Sequence, residues 1–219
     1  VPDRAVKSGL ITRFGSIYPT EGGATSRMNV NLIYKAKLKK GEFETQVYTS
    51  SYKFRLYSNF TFFLEDSING DQIEQGDVRT TSGINSNYSV AHKLGSFNNR
   101  FTIGATFRAD DINNELWRTV KRQRLNITAL ADINEVATAF YFNEVIRFSD
   151  KLRLELGGRY DYLTFNVEDH IPSDTTRQNY SGVNYQAAFS PKVNFIYSPS
   201  SRYQFFMNYG HGFHSNDAR

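Results

Sequence analysis

The sequence predicts an all-β protein, an antiparallel β-barrel that crosses a membrane with its strands. Three observations predict it. Apolar and polar residues alternate with a period of two, the alternating segments run for about ten residues or more, and short turns alternate with long polar connections. Strands in soluble sheets average about 5–6 residues, whereas about ten residues tilted at roughly 45° cross a bilayer core. The length of the segments therefore favours a membrane.

The alternation is clearest in residues 152–162. Leu152 and Leu154 fall on one side of an extended chain, and Arg153 and Glu155 fall on the other, because successive side chains of a strand point to opposite faces. We expect the apolar side of each strand to face lipid and the polar side to face a water-filled interior. The predicted strands cover residues 28–38, 52–64, 84–94, 101–110, 136–148, 152–162, 185–197 and 203–210.

One predicted strand has an ambiguous facing. In residues 136–148, Glu144 falls on the same side as Phe140 and Phe142, so charge and aromatic rings share one face. In residues 52–56, apolar residues that begin with Tyr52 alternate with Lys53 and Arg55, and the strand continues to residue 64; its apolar side is again expected to face lipid.

The connections between strands fall into two classes. Tight turns rich in Gly, Pro, Asn, Asp or Ser are predicted at 39–41, 95–98, 149–151 and 198–201. Long polar connections are predicted at 65–81, 111–133 and 168–184. In outer-membrane barrels the short turns face the periplasm and the long loops face outside. A strict alternation of the two classes therefore orients the chain.

Composition narrows the remaining function classes. Cysteine is absent, which excludes a disulfide framework and a thiolate metal site. The sequence contains neither a G-x-S-x-G elbow nor an H-E-x-x-H motif, so we expect no enzyme and no cofactor. No recognised nucleic-acid module accompanies the basic residues, so nucleic acid is not an expected partner.

The sequence resembles the TonB-dependent outer-membrane receptor family along essentially its whole length. The most specific similarity is the string Gly210-His211-Gly212-Phe213-His214-Ser215-Asn216-Asp217-Ala218-Arg219, which follows a strand-turn-strand segment. Within it, the family signature residues are His214, Ser215, Asn216, Asp217 and Arg219. The runs 56–66, 69–72 and 9–15 are also similar to that family.

The resemblance implies a 22-stranded barrel plugged by an N-terminal domain. The plug and its TonB box have no counterpart here, so residues 1–219 are expected to form a partial transmembrane barrel of about eight strands. The implied function is TonB-dependent import of an iron-siderophore or similar chelate across the outer membrane of a Gram-negative bacterium. Implied partners are the inner-membrane TonB complex through the plug, a small-molecule ligand, lipopolysaccharide and outer-membrane lipid. A passive porin-like channel and a surface ligand or phage receptor without transport remain alternatives.

Candidate ligand contacts are the residues expected near the outer ends of the strands. They are Arg108, Asp110, Asp161 and Trp117. Further charges expected on the interior face are Arg153, Glu155 and Arg159, which we expect to pair with one another or with the plug. A basic group is predicted to lie on a long loop, either solvated or engaging an anionic ligand or lipopolysaccharide. Its members are Arg118, Lys121, Arg122 and Arg124.

Metal sites are weakly indicated. Asp66, Asn69 and Asp71 are oxygen ligands of the kind that Ca²⁺ takes, but their spacing differs from an EF-hand, which favours a solvated turn. His211 and His214 are three residues apart and point to opposite faces of an extended chain, which favours a structural role. His92 and His170 have no partner visible in the sequence.

Overall fold

The chain folds into a single antiparallel sheet, described by a computed structural model for residues 3–171 and 179–213. Its eight strands pair in sequence order, each with the next. A short helix, α1 (Asp3–Lys7), precedes them. The strands are β1 (Gly22–Leu38), β2 (Gly41–Ser58), β3 (Ile73–Leu94), β4 (Phe97–Val120), β5 (Gln123–Ser149), β6 (Leu152–Asp169), β7 (Gly182–Ser200) and β8 (Tyr203–Gly210). Among the described residues, no helix is long and apolar enough to span a membrane.

All eight predicted strands are present, but several boundaries differ. The predicted strand 52–64 is part of β2, which ends at Ser58, and residues 59–72 form the connection to β3. The predicted long connection 111–133 is wrong. These residues continue β4 and β5 as a hairpin, so the two strands reach 24 and 27 residues.

The tip of this hairpin is a two-residue turn of Lys121 and Arg122, both in the left-handed region with φ of 48° and 68°. Such a turn matches the twist of the flanking strands but normally requires Gly or Asn. Here loop contacts hold it: the Arg122 amide donates to Gln72 Oε1, and its guanidinium donates to the carbonyls of Thr20 and Glu21. The expected strict alternation of short and long connections therefore fails between β4 and β5.

One face of the sheet is apolar and exposed over most of its area; we call it the apolar face. Register places Tyr88, Ile103 and Phe142 in one row across β3, β4 and β5. The exposed fraction is 63% for Phe140 and 68% for Leu32, values found for charged residues in water-soluble proteins. An apolar surface of this extent requires an apolar environment, which lipid supplies.

The opposite face, the polar face, carries charged and hydroxylated side chains. Its charged members include Arg27, Glu44, Arg79, Arg108, Asp110, Arg153, Glu155, Arg159 and Asp161. Few apolar side chains are buried among the described residues, and they lie mainly on this face at Ile112, Ile133, Ala139 and Leu163. The sheet thus presents its apolar side outward, as expected for a barrel wall in lipid.

Two facing predictions are settled by the register. Glu144 lies on the apolar face together with Phe140 and Phe142. For β2, the expectation that Tyr52 faces lipid is wrong, because Tyr52 pairs with Arg27 and lies on the polar face. We call the part of the apolar face that carries mainly apolar side chains the apolar band. Tyr52 lies beyond this band, because its neighbours Ser51 and Lys53 are the residues on the apolar face there. Lipid no longer separates apolar from polar side chains at this level.

Aromatic rings of the polar face lie over glycines of the neighbouring strands. Gly104 pairs with Tyr141, and Gly83 pairs with Tyr48; a Cβ at either glycine would overlap the tyrosine ring. Glycine in a strand interior is unfavourable by itself, and an aromatic ring from the next strand compensates by covering it. These contacts explain why both glycines sit in the middle of long strands.

We predict that Gly104→Val in the full-length protein lowers the free energy of unfolding by about 1–3 kcal/mol, because the added side chain meets the Tyr141 ring. The measurement is the urea concentration at which the folded barrel is lost. Gly182→Val is the matched control, since nothing lies within 4 Å of a Cβ at that position. Equal midpoints for the two variants would contradict the packing role of Gly104.

Candidate functional site

Arginine–carboxylate pairs two residues apart form the charged framework of the polar face. Arg108 Nε lies 2.6 Å from Asp110 Oδ2, and Thr81 Oγ1 donates a 2.6 Å hydrogen bond to Asp110 Oδ1. Arg159 Nη2 lies 2.8 Å from Asp161 Oδ1. Residues i and i+2 of a strand share a face, so a long arginine reaches the carboxylate beside it. Asp110 and Asp161 are buried by these contacts.

The two pairs are joined through one hydroxyl. Arg159 Nη2 donates to Thr106 Oγ1 at 3.3 Å, and Thr106 lies two residues from Arg108 on the same face. A third pair lies closer to the tight turns, where Arg153 Nε is 3.2 Å from Glu155 Oε1. The predicted interior charges therefore share one face and pair locally within it.

A cleft of about 550 Å³ lies next to the Arg108 pair on the polar face. Its cationic lining is Arg27, Arg79 and Arg108, and Arg27 stands 4.7 Å from the centre of the Tyr52 ring. The remaining lining residues are Tyr48, Ser50, Tyr52, Phe54, Asp77 and Thr81. Three arginines beside aromatic rings and hydroxyls provide donors for carboxylate or phosphate oxygens on a ligand.

Of the residues that line this cleft, only Arg108 is among the predicted ligand contacts. Arg27 lies one residue before the predicted start of its strand, and Arg79 lies in a segment predicted to be a loop. Extending the period of two by a few residues in each direction would have placed both on the polar face. Their proximity to Arg108 depends on the strand register, which the sequence alone does not reveal.

Trp117 lies apart from the cleft. On β4 it has the parity of Glu115, opposite to that of Arg108, so it belongs to the other face of the strand. Its ring lies 4.5 Å beneath the Arg124 guanidinium, and its Nε1 donates to Glu115 Oε2 at 2.9 Å. The structure therefore brings Arg108 and Asp110 together but does not bring Trp117 to them.

Trp117 belongs to an ion-pair network on the part of the sheet beyond the apolar band. Glu74, 1% exposed, lies 3.1 Å from Arg55 and 2.8 Å from Arg124. Glu115 also pairs with both arginines. Hydrogen bonds from Arg124, reinforced by the charge of Arg55, outweigh burial and hold the pKa of Glu74 below its ordinary value. The network therefore stays charged and links β2, β3, β4 and β5.

The predicted basic group is largely engaged within the protein. Arg118 lies 3.6 Å from Asp71 and 3.7 Å from Asp66, and Arg122 stands 5.0 Å from the centre of the Tyr57 ring. These arginines hold the 59–72 loop against the β4–β5 hairpin, a role that differs from both solvation and lipopolysaccharide binding.

The calcium candidates organise the same loop. The Asp71 carboxylate accepts hydrogen bonds from the Thr61 hydroxyl at 2.8 Å and from three backbone amides, those of residues 64, 65 and 66, at 2.9–3.1 Å. Asp66 accepts from the amide of Asn69 at 2.8 Å. Their oxygens therefore bind the chain itself. Within the described ranges, no group of three or more His, Cys, Asp or Glu is placed to hold a metal.

Two histidines with no partner visible in the sequence have one in the structure. His92 Nε2 lies 3.0 Å from Glu144 Oε1, and His170 Nε2 lies 2.8 Å from Asp132 Oδ2. Both partners are distant in sequence and are brought close by strand pairing. The His211 amide donates to the Pro191 carbonyl at 3.0 Å. The signature residues His214, Ser215, Asn216, Asp217 and Arg219 lie outside the described residues.

This geometry defines a class first: a wall segment of a membrane β-barrel, with lipid on one face and a charged interior on the other. The family model for the TonB-dependent receptor-like β-barrel matches residues 6–218. The chain therefore belongs to the TonB-dependent receptor family, which confirms the sequence-based prediction of family and fold class. The family consists of transport receptors and not of enzymes, and membership supports outer-membrane nutrient uptake in general.

Solved structures share this fold at low sequence identity. The ferric citrate transporter FecA, in its unliganded form, superposes with a TM-score of 0.77 at 14% identity over 95% of this chain and 30% of that one. The ferric preacinetobactin receptor BauA of Acinetobacter baumannii has a TM-score of 0.69 at 11% identity, over 84% of this chain and 30% of that one.

The open form of the ferric-catecholate import receptor Fiu of E. coli K12 has a TM-score of 0.62 at 11% identity, over 85% of this chain and 35% of that one. The chain thus spans about a third of the length of these receptors. No curated protein sequence matches it significantly.

We predict that the 59–72 loop opens in acid. Burial raises the pKa of Asp71, but hydrogen bonds led by the Glu65 amide and the Thr61 hydroxyl outweigh it and lower that pKa from about 3.8 to about 2. A lowered folded-state pKa means that the stabilisation is complete above pH 4 or so and is lost as the pH falls through 2. Pepsin should therefore cut at Phe62–Leu64 at pH 2 but not at pH 4.

The variant Asp71→Asn removes the acceptor charge and should be cut at both pH values. Glu65→Gln is the matched control in the same loop, since the Glu65 side chain is 75% exposed. Cleavage of the wild-type loop at pH 4, or protection of the Asp71→Asn loop, would show that this carboxylate does not hold the loop.

Proposed function

We propose that this chain is part of a receptor that actively imports a scarce ligand, an iron-siderophore or similar chelate, across the outer membrane of a Gram-negative bacterium. The observation that carries the proposal is the family match over residues 6–218. In this proposal residues 1–219 supply eight strands of a larger barrel, and a plug domain elsewhere in the protein connects it to the TonB complex. Fold neighbours described as ferric citrate and ferric preacinetobactin receptors support the cargo class.

The ligand is proposed to bind at the cleft beside Arg108. The cleft carries more positive than negative charge. Its cations are Arg27, Arg79 and Arg108, and the carboxylates nearby are those of Asp77 and Asp110. Ferric citrate and related chelates carry carboxylate or other anionic oxygens, which guanidinium groups recognise with paired hydrogen bonds. Asp110 fixes the orientation of Arg108 and does not itself contact the ligand.

The Arg159–Asp161 pair has a different proposed role. It lies on the polar face, closer to the tight turns than the Arg108–Asp110 pair. The Arg159 guanidinium is already held by Asp161 and Thr106. We assign it to shaping the charged interior wall below the cleft. Arg153 and Glu155 continue this wall toward the periplasmic end.

Uptake of ⁵⁵Fe-labelled chelates by cells that express the full-length protein tests active import. We expect accumulation in cells with an intact TonB system and a fall to background when tonB is deleted. Unchanged accumulation after deletion would indicate a passive channel and contradict the proposal. Binding of chelate at the surface without accumulation in either strain would indicate a receptor that transports nothing.

Binding of ferric citrate to the purified full-length protein tests the cleft. The double substitution Arg27→Gln and Arg79→Gln removes two charge-assisted donors while leaving the Arg108–Asp110 pair intact. We expect the affinity to fall at least about tenfold, since one such hydrogen bond contributes about 1.5–3 kcal/mol. Arg153→Gln, near the other end of the same face, is the control and should retain the affinity. Equal affinities for all three proteins would exclude the cleft as the ligand site.

A further inference from the structure

A group of three polar side chains interrupts the apolar face near its periplasmic edge. His92 on β3, Asn99 on β4 and Glu144 on β5 all lie on the face that carries Phe101 and Phe142. We call these three residues the polar island. They belong to central strands of the sheet, so their surroundings do not depend on the strands beyond β1 and β8.

The island is held together across β4. His92 pairs in register with Asn99, whereas Glu144 pairs with Phe101. The imidazole therefore crosses β4 diagonally to reach Glu144, with its Nε2 3.0 Å and 3.2 Å from the two carboxylate oxygens. Asn99 lies beneath this bridge and is 4% exposed. The His92 and Glu144 side chains themselves remain 37% and 20% exposed.

The depth of the island matches the headgroup region of a bilayer. β3 ends at Leu94 and β5 at Ser149, so His92 and Glu144 lie two and five residues from the tight turns. At about 3.4 Å per residue and a tilt near 45°, this is about 5–12 Å above the periplasmic end. Phe97 and Phe148 pack edge to face on the turn side, with ring centres 5.2 Å apart. Such aromatic pairs mark membrane interfaces.

One member of the island, Asn99, is costly unless something pairs with it. Ionisable residues on a lipid-facing surface are rare and indicate a function by default. Neither amide atom of Asn99 has a hydrogen-bond partner in the described part of the chain, and a buried unpaired amide is unfavourable. By contrast, Thr45 and Ser86 on the same face satisfy each other with a 2.7 Å hydrogen bond. Asn99 therefore lacks the partners that His92 and Glu144, or Thr45 and Ser86, find in each other.

We propose that the polar island binds the headgroup of an ethanolamine glycerophospholipid in the periplasmic leaflet. The headgroup opens the His92–Glu144 bridge and uncovers Asn99, so that the lipid ammonium donates to the Glu144 carboxylate and to the Asn99 carbonyl oxygen. The phosphate accepts from the freed Nε2–H of His92 and from the Asn99 amide nitrogen. A carboxylate next to two N–H donors matches a zwitterion, whereas an anionic lipid without an ammonium would leave Glu144, separated from His92, without a partner. A choline headgroup has no N–H to donate.

The test uses native mass spectrometry of the full-length, delipidated protein with dioleoyl phosphatidylethanolamine, phosphatidylcholine and phosphatidylglycerol. We expect the ethanolamine lipid to be retained at least about tenfold better than either of the others, because each lacks one of the paired contacts. The double variant His92→Phe, Glu144→Leu should lose this preference. Glu144→Gln, which keeps the shape of the side chain, should lose it as well if the double variant does not fold.

The control is Thr45→Val, Ser86→Ala, which removes a polar pair from the same face but not from the island. It should retain the ethanolamine preference. Preference for phosphatidylglycerol, or equal retention of all three lipids by the wild type, would overturn the proposal, as would an unchanged preference in Glu144→Gln. The outcome is independent of whether the receptor imports its ligand, because the inference rests only on the face that meets lipid.

Discussion

The hydrocarbon layer of a membrane offers no water to backbone N–H and C=O groups, so each must find its partner within the protein. This constraint accounts for the main features of the chain. Antiparallel pairing runs unbroken from β1 to β8, with bulges confined to a few positions near the strand ends. The backbone N–H and C=O groups at the outer edges of β1 and β8 also need partners. The chain covers 30% of the length of FecA, which shares its fold. The side chains then lie on the two faces of the hydrogen-bonded sheet, with apolar rings on the lipid side and ion pairs on the interior side.

This separation of apolar from polar side chains ends where the membrane ends. Beyond the apolar band, β4 and β5 continue as a hairpin whose outer surface carries the ion pair of Glu115 and Arg124 beside Trp117. Water is available there, and stability comes from ion pairs and from a loop whose polar groups are saturated by hydrogen bonds around Asp71. The proposed ligand cleft lies on strands β1 to β4.

Sequence patterns predicted the strands well because the period of two is imposed by lipid on every span. They failed where tertiary contacts decide the local structure. The Lys121–Arg122 turn has no Gly or Asn, and contacts from Gln72 and Thr20 hold it, so its residues resembled a long loop. The cleft and the His92–Glu144 pair depend on register between strands, and residues 52 positions apart carry no local sign that they meet. The sequence could predict which residues form strands and on which face a side chain lies. It could not predict which residues become neighbours across strands.

The central claim is that alternate residues of each span face lipid and interior water. The most direct test places single cysteines along β4 of the full-length receptor in outer-membrane vesicles, since these 219 residues contain none. We expect a water-soluble maleimide to label positions 102, 106 and 108 and a lipid-dissolved reagent to label positions 101, 103, 105 and 107. Labelling that does not alternate along these consecutive positions would contradict the account.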